Sequence, residues 1–229
     1  MHRTSNMIQS FKFITVLRKM NPNARHTCAY AHTQSHAIQA ITILYKLNFS
    51  LKDLSRLIKS FPGTPGRMEK IDIENNDVSA LLPNVIVDYA HTPEALLTVL
   101  SSLKHFAKGK IITLFGCGGN RDIEKRTLMG QIAYQNSDLV IVTDDNPRDE
   151  LPSKIREDIL QGCPNAIEIG DRNNAIKFAV SKLQDNDLLL IAGKGHETTQ
   201  TIGMESLPFD DYTVSKEAIK NIKKIGITS

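Results

Sequence analysis

The sequence predicts an α/β protein with a doubly wound, mostly parallel Rossmann-like sheet that is preceded by short helices. Three observations predict this fold. Short apolar runs of strand length alternate with longer amphipathic stretches that have the helical period. Several of the runs are continuously apolar, as strands covered on both faces are. Polar residues gather directly behind the runs, where the ligand-binding edge of a parallel sheet lies.

The first part of the chain predicts helices rather than strands. Residues 1–35 have no clear period and stay unassigned. Two helical stripes follow, the first starting at Ala37 and the second running from Leu51 to Phe61. The Pro/Gly-rich stretch "PGTPGR" then predicts a domain boundary. We therefore expect short helices and a linker over 36–65, and a larger domain over 66–229.

The second part of the chain predicts five strands joined by helices. The strands are "VIVDY" (85–89), "KIITLFG" (110–116), "DLVIVTDD" (138–145), "AIEIGD" (166–171) and "DLLLIAG" (187–193). Amphipathic stretches follow them at 93–107, 126–136, 153–163, 174–184 and 214–225. Connections of this length suit the helical crossover that two parallel strands need. The alternation therefore predicts one sheet with helices on both faces.

Polar loops follow four of these strands. Asp88 and His91 come after the first, "GCGGNRD" after the second, "DDNPRD" after the third and "GKGHE" after the fifth. The carboxyl ends of parallel strands meet at one edge, and ligands gather there. We therefore expect the four loops to share one rim and to form a ligand site.

Composition excludes several classes of function. The net charge of +3 is spread along 229 residues without basic blocks, so no nucleic-acid partner is predicted. No apolar run reaches the roughly 20 residues of a spanning helix, which predicts no membrane segment, and the basic start lacks the features of a signal peptide. The three cysteines form no CxxC pair. We expect no disulfide, no metal site and a reducing, cytoplasmic location.

The glycine-rich stretch "FGCGGNRDIEKR" (115–126) joins a strand to a helix. Such a turn exposes backbone N–H groups and a positive helix end to an anion. The alternative is an ordinary tight turn with solvated charges. Three basic residues favour a carboxylate or phosphate partner: Arg121, Lys125 and Arg126.

Two further loops carry charges that suit an amino acid. In "DDNPRDE" the planar fork of Arg148 suits bidentate capture of a carboxylate, and Asp145 with Arg148 would hold a ligand that bears both an ammonium and a carboxylate. We interpret Asp149 and Glu150 as acidic groups at the start of the next helix. In "AGKGHE", glycines flank Lys194, and this setting favours a ligand-facing role for the pair His196 and Glu197.

In this order the motifs resemble the Mur ligases of peptidoglycan synthesis, and within that family the enzymes that add meso-diaminopimelate. The matching text is "GRMEKI", "VDYAHTPEALLTVL", "FGCGGNRDIEKRTLMG", "TDDNPRDE", "GDRNNAI", "IAGKGHE" and "FDD". The resemblance covers about residues 36–229. It implies the C-terminal, amino-acid-binding domain of such a ligase, with residues 36–65 as the last helices of the central domain.

The resemblance also implies a division of the site. Diaminopimelate would be bound by Arg121, by the "DNPR" residues Asp145, Asn146, Pro147 and Arg148, and by Gly193 and Glu197 of "GKGHE". Residues that would face ATP are Arg67, Asp88 and His91. The implied cofactors are ATP and Mg²⁺, and the implied second substrate is the UDP-muramoyl dipeptide. In the implied reaction ATP phosphorylates the D-glutamyl carboxylate, and the amine of diaminopimelate attacks the acyl phosphate.

The chain departs from the family's pattern in two ways. Asn120 stands where Asp is common, and Ile123-Glu124 stand where Lys-Gly is usual. The family's UDP-binding domain and its ATPase domain with a P-loop have no counterpart in these 229 residues, and "GKS" and "GKT" are absent. No catalytic residue is therefore assigned, and a separately encoded N-terminal part is a possible partner.

Three hypotheses follow, from different classes. The first is a part of a diaminopimelate-adding ligase that is truncated or encoded apart from its other domains. The second is a binding module without ligase activity of its own. The third is a dinucleotide-dependent oxidoreductase on the same general fold, against which the first βα turn, "VDYAHTP", offers no glycine for a pyrophosphate.

Overall fold

A computed structural model of the chain describes residues 31–60, 63–71 and 84–226. The contacts divide the chain into two compact units, Met1–Gly63 and Thr64–Ser229, each of which is described by itself. The segment predicted to be unassigned, 1–35, lies almost wholly outside the described residues.

The first unit is a pair of helices. Helix α1 spans Ala31–Lys46 and helix α2 spans Leu51–Ser60, so both predicted helices are present. Asn48, in the left-handed region at φ 68°, turns the chain between them. The backbone N–H of Asp53 donates to the hydroxyl of Ser50 at 3.1 Å, which caps the start of α2. Ile41 and Leu54 are buried in this unit.

The second unit is built on a six-stranded sheet. Its strands are β1 (Glu69–Lys70), β2 (Asn84–Asp88), β3 (Ile111–Phe115), β4 (Leu139–Val142), β5 (Ile167–Glu168) and β6 (Leu188–Ala192). Their order is β1-β2-β6-β3-β4-β5, and only β1 runs antiparallel to its neighbour. The five predicted strands and the mostly parallel sheet are confirmed. The strands end earlier than predicted because the chain leaves the sheet into polar loops.

Helices cover both faces of the sheet. They are α3 (Pro93–Lys104), α4 (Glu124–Asn136), α5 (Pro152–Leu160), α6 (Arg172–Ser181) and α7 (Asp211–Gly226). Helices α6 and α7 pack together on one face, over a core that alternate strand residues such as Val85, Leu114 and Ile191 share. Helices α3, α4 and α5 pack in sequence on the other face. The sheet is therefore buried between two helical layers, as its continuous apolar strands predict.

Two elements of the second unit were not predicted. Strand β1 has two residues, too few for any periodic signal. A separate hairpin is formed by β7 (Thr199–Ile202) and β8 (Glu205–Pro208), with Gly203 at φ 58° in its two-residue turn. Both hairpin strands are largely exposed, so they lack the apolar alternation that reveals a strand. Within the described residues no helix is both long and apolar enough to span a membrane.

The strand order opens a crevice at one edge of the sheet. The chain passes from β2 to β3, and β6 later fills the gap between them. Connections after neighbouring strands therefore diverge at this point, at the carboxyl ends of the strands, where sheets of this type bind ligands. Four polar loops begin here.

Candidate functional site

A cavity of about 640 Å³ lies at this edge, and residues from all four polar loops line it. Tyr89 and His91 come from the loop after β2, Arg121 from the loop after β3, Arg148 from the loop after β4, and Glu197 from the loop after β6. The predicted shared rim is therefore present in the structure. Two differently built groups of residues contribute to this rim.

The first group, called here the polar wall, consists of Asp145, Asn146, Arg148, Gly193 and Glu197, all of which line the cavity. It combines two carboxylates and a guanidinium, the groups that an ammonium and a carboxylate would need. The intervening Pro147 is buried and does not line the cavity. Its role in the "DNPR" motif is to shape the loop, because it fixes one backbone angle.

Arg148 has an unusual backbone and a partly used side chain. Its φ of 53° lies in the left-handed region, which costs a residue other than glycine about 1–3 kcal/mol and persists only where neighbours impose it. The neighbours here are hydrogen bonds to the hairpin, from Arg148 N–H to Thr201 O at 3.1 Å and from Gly203 N–H to Arg148 O at 2.7 Å. Nη1 donates to the carbonyl of Gly119 at 2.8 Å. Among the described residues, Nε and Nη2 make no hydrogen bond, so they can pair with a carboxylate in the cavity.

Asn146 joins the two loops of the polar wall through Lys194. Its Nδ2 donates to Oε2 of Glu197 at 2.8 Å, and its Oδ1 accepts from Nζ of Lys194 at 3.0 Å. Lys194 is fully buried and also donates to Oε2 of Glu197 at 3.0 Å. Asn146 therefore positions Glu197 through one N–H of its amide, while its oxygen is bound within the protein.

Glu197 is held in its ionised form. Partial burial alone would raise the pKa of its carboxyl, but the hydrogen bonds from Asn146 and Lys194, with the charges of Lys194 and Arg148, hold the pKa below its ordinary value. Among the described residues, both of these hydrogen bonds end on Oε2. The other oxygen, Oε1, is left for a cation in the cavity.

Asp145 is a buried carboxylate without a hydrogen-bond partner. Its side chain is 6% exposed, lines the cavity and accepts no hydrogen bond from the described residues. Burial raises the pKa of Asp145, although the positive charges of Arg172 and Lys194 oppose that shift. A buried carboxylate of this kind is costly unless something pairs with it. An ammonium group entering the cavity would be such a partner.

Gly193 gives Asp145 the room it needs. Its φ of 117° is strained for any residue with a side chain, and a Cβ at this position would lie 2.7 Å from Oδ2 of Asp145. The glycine predicted as a site residue therefore brings the backbone after β6 up to the carboxylate.

Of the three basic residues in the glycine-rich loop, two line the cavity and one does not. Arg121 is exposed at the cavity, and Lys125 lines it while its Nζ donates to the carbonyl of His91 at 2.9 Å. Arg126 is buried and pairs with Glu150 at 2.8 Å and Asp158 at 3.0 Å. The expectation that Arg126 serves an anionic partner is therefore wrong, because its two terminal nitrogens bind Asp158 and Glu150 inside the protein.

The acidic residues behind Arg148 also have partners other than those predicted. Helix α5 has no side-chain cap, so Asp149 and Glu150 do not cap it. Both instead bind Asn120: its Nδ2 donates to Asp149 at 2.8 Å, and its backbone N–H donates to Glu150 at 2.5 Å. Asn120 thereby ties the glycine-rich loop to the "DNPR" loop. An Asp at this position, common in the family, would lack the donor that faces Asp149.

The second group, called here the aromatic wall, consists of Tyr89 and His91 with Arg67 and His196 packed on Tyr89. The guanidinium of Arg67 lies 4.6 Å from the centre of the Tyr89 ring. Ring centres of His91 and His196 lie 4.6 Å and 5.4 Å from that of Tyr89. Arg67 and His91 are exposed. This wall offers flat, solvent-facing rings and a cation rather than a hydrogen-bonded cage.

Asp88, predicted to face a nucleotide, binds the backbone of two loops. It is buried, and its carboxylate accepts from Met68 N–H and from Ala90 N–H, both at 2.7 Å. These bonds fix the backbone directly after Arg67 and directly after Tyr89. Among the residues that were expected to face ATP, His91 lines the cavity, whereas Arg67 and Asp88 are not among its lining residues.

The described ranges contain no group of three or more His, Cys, Asp or Glu residues that could hold a metal ion. The described cysteines, Cys117 and Cys163, are free and buried. Burial raises the pKa of Cys117 to about 12, so its thiol is unreactive at neutral pH.

Sequence reasoning missed Lys194, Tyr89 and the hairpin as parts of the site. The sequence does not predict that a lysine between glycines is fully buried, because its burial depends on the positions of Asn146 and Glu197 in the fold. Tyr89 follows a strand directly, and this position could have singled it out. The hairpin left no periodic signal.

The fold is a doubly wound α/β domain with a polar cavity at the carboxyl ends of its strands, and comparison with known proteins identifies the family. The profile of the family "Mur ligase, glutamate ligase domain" matches residues 66–195, more than half of the chain. The chain therefore belongs to the Mur ligase family. This removes the support for the oxidoreductase hypothesis.

Individual relatives show which kind of Mur ligase the chain is similar to. The chain is 55% identical, over 82% of its length, to a UDP-N-acetylmuramoyl-L-alanyl-D-glutamate–2,6-diaminopimelate ligase from Prochlorococcus marinus subsp. pastoris, of which the alignment covers 38%. A solved structure of a ligase with the same name is 38% identical, has a TM-score of 0.64 and is matched over 84% of this chain and 39% of that one. A folylpolyglutamate and dihydrofolate synthase from Yersinia pestis, solved with AMPPNP and a Mn ion, shares the fold at 20% identity (TM-score 0.53, 69% of this chain, 35% of that one). The chain thus spans about two fifths of the length of the curated relatives it matches.

Proposed function

We propose that this chain is the amino-acid-binding part of a diaminopimelate-adding Mur ligase, and that its polar wall holds meso-diaminopimelate. The observation that carries the proposal is the pairing of Asp145, a buried carboxylate without a hydrogen bond, with Arg148, whose Nε and Nη2 are open to the cavity. One amino-acid head group, with its ammonium and its carboxylate, satisfies both. The 55% identity to a ligase of that name supports the same choice.

Diaminopimelate differs from lysine at the end of the molecule that this pairing would recognise. One carboxylate distinguishes the two, and Arg148 would pair with it at two points, whereas lysine would leave the guanidinium facing only an ammonium. Glu197 and Arg121 add a further anionic and a further cationic group at the cavity. The remaining amino group would then point away from the wall, toward the acceptor.

In the proposed reaction the chain's contribution is position. ATP, the co-substrate that the family resemblance implies, supplies the phosphoryl group that activates the D-glutamyl carboxylate of the UDP-muramoyl dipeptide. Residues of the polar wall hold the diamino acid so that its free amine meets this carboxylate. Fixed placement of two reactants can lower a barrier by up to roughly 7–11 kcal/mol.

The aromatic wall is proposed as one side of the nucleotide site. Tyr89 offers a flat face, and Arg67, stacked on it, offers a cation to a phosphate. His91 lines the cavity beside them. The described ranges hold no cluster of three or more His, Cys, Asp or Glu residues that could bind Mg²⁺, and no residue of this chain is assigned to the ion. The rest of the nucleotide site would come from residues that align with the other three fifths of the relatives, in the same polypeptide or in a separately encoded one.

Calorimetry on the purified chain tests the proposed binding. We expect meso-diaminopimelate to bind, and L-lysine to bind at least about tenfold more weakly, because a lost charge-assisted contact costs roughly 1.5–3 kcal/mol. LL-diaminopimelate is the matched control, since it has the same charges and a different arrangement at one carbon. Equal binding of meso-diaminopimelate and lysine, or none of either, would overturn the proposal.

The second hypothesis, a binding module without activity of its own, differs in what happens with the other substrates. We expect the purified chain to release no phosphate from ATP in the presence of the UDP-muramoyl dipeptide and diaminopimelate. Adding the N-terminal and central domains of a related ligase as a separate polypeptide would restore release if the chain is one part of a split ligase. No restoration, with diaminopimelate binding intact, would favour the binding module.

A further inference from the structure

The β7–β8 hairpin has no assigned role, and its position suggests one. It forms its own two-stranded sheet, apart from the six-stranded sheet. Its outer face is exposed, and Met204 in the turn is 99% exposed. Among the described residues, its hydrogen bonds to the rest of the second unit all end on one short segment, the residues 145–148 of the polar wall.

The hydrogen bonds from the hairpin end on Asp145, Asn146 and Arg148. Nε2 of Gln200 donates to the carbonyl of Asp145 at 2.7 Å. The backbone N–H of Thr201 donates to Oδ1 of Asn146 at 3.0 Å. The backbone of Arg148 is bound on both sides, through Thr201 O and Gly203 N–H. Strand β7 therefore runs alongside the "DNPR" loop as an added strand would, with an isolated bridge between Arg148 and Ile202.

Two features of the loop need this support. Arg148 keeps a left-handed backbone, which no intrinsic preference of arginine favours. Asp145 keeps a buried carboxylate aimed into the cavity without a hydrogen bond of its own. Both would relax if the loop were free, the first by returning to negative φ and the second by turning toward water.

We infer that the β7–β8 hairpin is the device that holds the carboxylate-recognition loop in its binding geometry, with Gln200 as its positioning residue. This inference rests on the proposed function of the polar wall and adds a determinant of its specificity. Gln200 is chosen because, among the described hydrogen bonds from the hairpin to residues 145–148, only this bond uses a hairpin side chain. It can be removed without altering the backbone of the hairpin.

The test measures affinity for meso-diaminopimelate and for L-lysine in the full chain with Gln200→Leu and Gln200→Glu. Leucine removes the amide donor of Gln200, and glutamate removes it while keeping nearly the same side-chain shape. We expect both variants to bind meso-diaminopimelate about threefold to tenfold more weakly, the equivalent of one hydrogen bond. Lysine affinity should change less, so the ratio of the two affinities should fall. Gln131→Leu, at an exposed glutamine of α4, is the matched control and should leave both affinities unchanged.

The outcomes separate this inference from the proposed function. If the unaltered chain fails to prefer meso-diaminopimelate, the proposed function fails, and the inference falls with it. If the unaltered chain shows the preference and both Gln200 variants keep it, the inference alone is overturned. Equal loss of affinity for both ligands, together with a lower melting temperature, would also overturn it, because the hairpin would then only stabilise the fold.

Discussion

The two walls of the cavity are built in different ways. On the polar wall, side chains and backbone are locked to one another: Asn146 binds Lys194 and Glu197, and the hairpin binds the backbone of Arg148. On the aromatic wall, Arg67 and His91 are exposed and lie on Tyr89 through ring contacts. The first wall is organised by the chain itself, whereas the second presents surfaces that nothing in the described residues covers.

The difference indicates how much of a ligand site this chain can supply alone. A wall whose groups are held by buried partners can bind its ligand without first becoming ordered, which lowers the cost of binding. Flat, exposed groups on one side only cannot surround a ligand. We therefore expect the chain to hold an amino acid by itself and to hold a nucleotide only together with other residues.

The largest effect is expected from Gly193→Ala, which should break the polar wall. The new Cβ would lie 2.7 Å from Oδ2 of Asp145, and the backbone at φ 117° is strained for alanine. Calorimetry should detect no binding of meso-diaminopimelate, a loss of about 100-fold or more. The melting temperature should also fall, since such strain costs about 1–3 kcal/mol. Gly63→Ala is the matched control, because φ there is 89° with nothing within 4 Å, and it should leave binding intact. Retained binding in Gly193→Ala would show that Asp145 does not need its present position.

Arg148→Ala and Arg148→Lys should come next and should change selectivity. Loss of the fork removes a two-point contact with a carboxylate, so affinity for meso-diaminopimelate should fall about tenfold to a hundredfold. Affinity for lysine should fall little, and Arg148→Lys should recover only part of the loss, because an ammonium does not reproduce the fork. If both variants keep the preference unchanged, Arg121 becomes the leading candidate for the carboxylate contact.

Asp145→Asn should weaken binding and strengthen the fold. Burial raises the pKa of Asp145, so the folded state disfavours the ionised form more than the unfolded state does. The ionised group therefore opposes folding at neutral pH, and this effect is relieved as pH falls through the raised pKa. The neutral amide should raise the melting temperature by about 2–4 °C, the equivalent of ~1 kcal/mol in a protein of this size. Affinity for the diamino acid should fall about tenfold, as one charge-assisted bond is lost.

The raised pKa of Asp145 also predicts how the affinity for meso-diaminopimelate depends on pH. In the unaltered chain, affinity should decrease as pH falls. The decrease should begin at a higher pH than for an ordinary aspartate, because the pKa of Asp145 is raised. Glu197, whose pKa is held low by Asn146 and Lys194, should not titrate in that range. The pH dependence should therefore disappear in Asp145→Asn. Its persistence would assign the titration to another group.

The smallest effect is expected on the aromatic wall. Arg67→Ala removes an exposed cation–π contact worth about 0.5–1 kcal/mol, so the melting temperature should fall by less than ~4 °C. Binding of meso-diaminopimelate should stay within about twofold of the unaltered chain, as Arg67 does not touch the polar wall. A loss comparable to that of Arg148→Ala would mean that the two walls are not independent.

Sequence reasoning located the loops of this site and misjudged several of their partners. The alternation of strands and helices predicts the sheet, and the sheet alone predicts that Asp145, Arg148 and Glu197 share one edge. Partner choice depends on distances that no local pattern encodes. Arg126 and Arg121 look equivalent in "GGNRDIEKR", but one turn of α4 carries Arg126 inward to Glu150 and Asp158 and leaves Arg121 exposed. The hairpin, which has no apolar alternation, could be found only in three dimensions.

An NMR titration of the ¹⁵N-labelled chain tests the contrast between the walls most directly. One sample receives meso-diaminopimelate and another receives ATP with Mg²⁺. We predict that diaminopimelate shifts the amide signals of Asn146, Arg148, Gly193 and Glu197 to saturation at or below ~1 mM, which corresponds to about −4 kcal/mol. ATP should produce no saturable shift at Tyr89 or His91 in that range. Saturable binding of ATP without diaminopimelate binding would contradict the account, since the aromatic wall would then be the complete site and the polar wall the incomplete one.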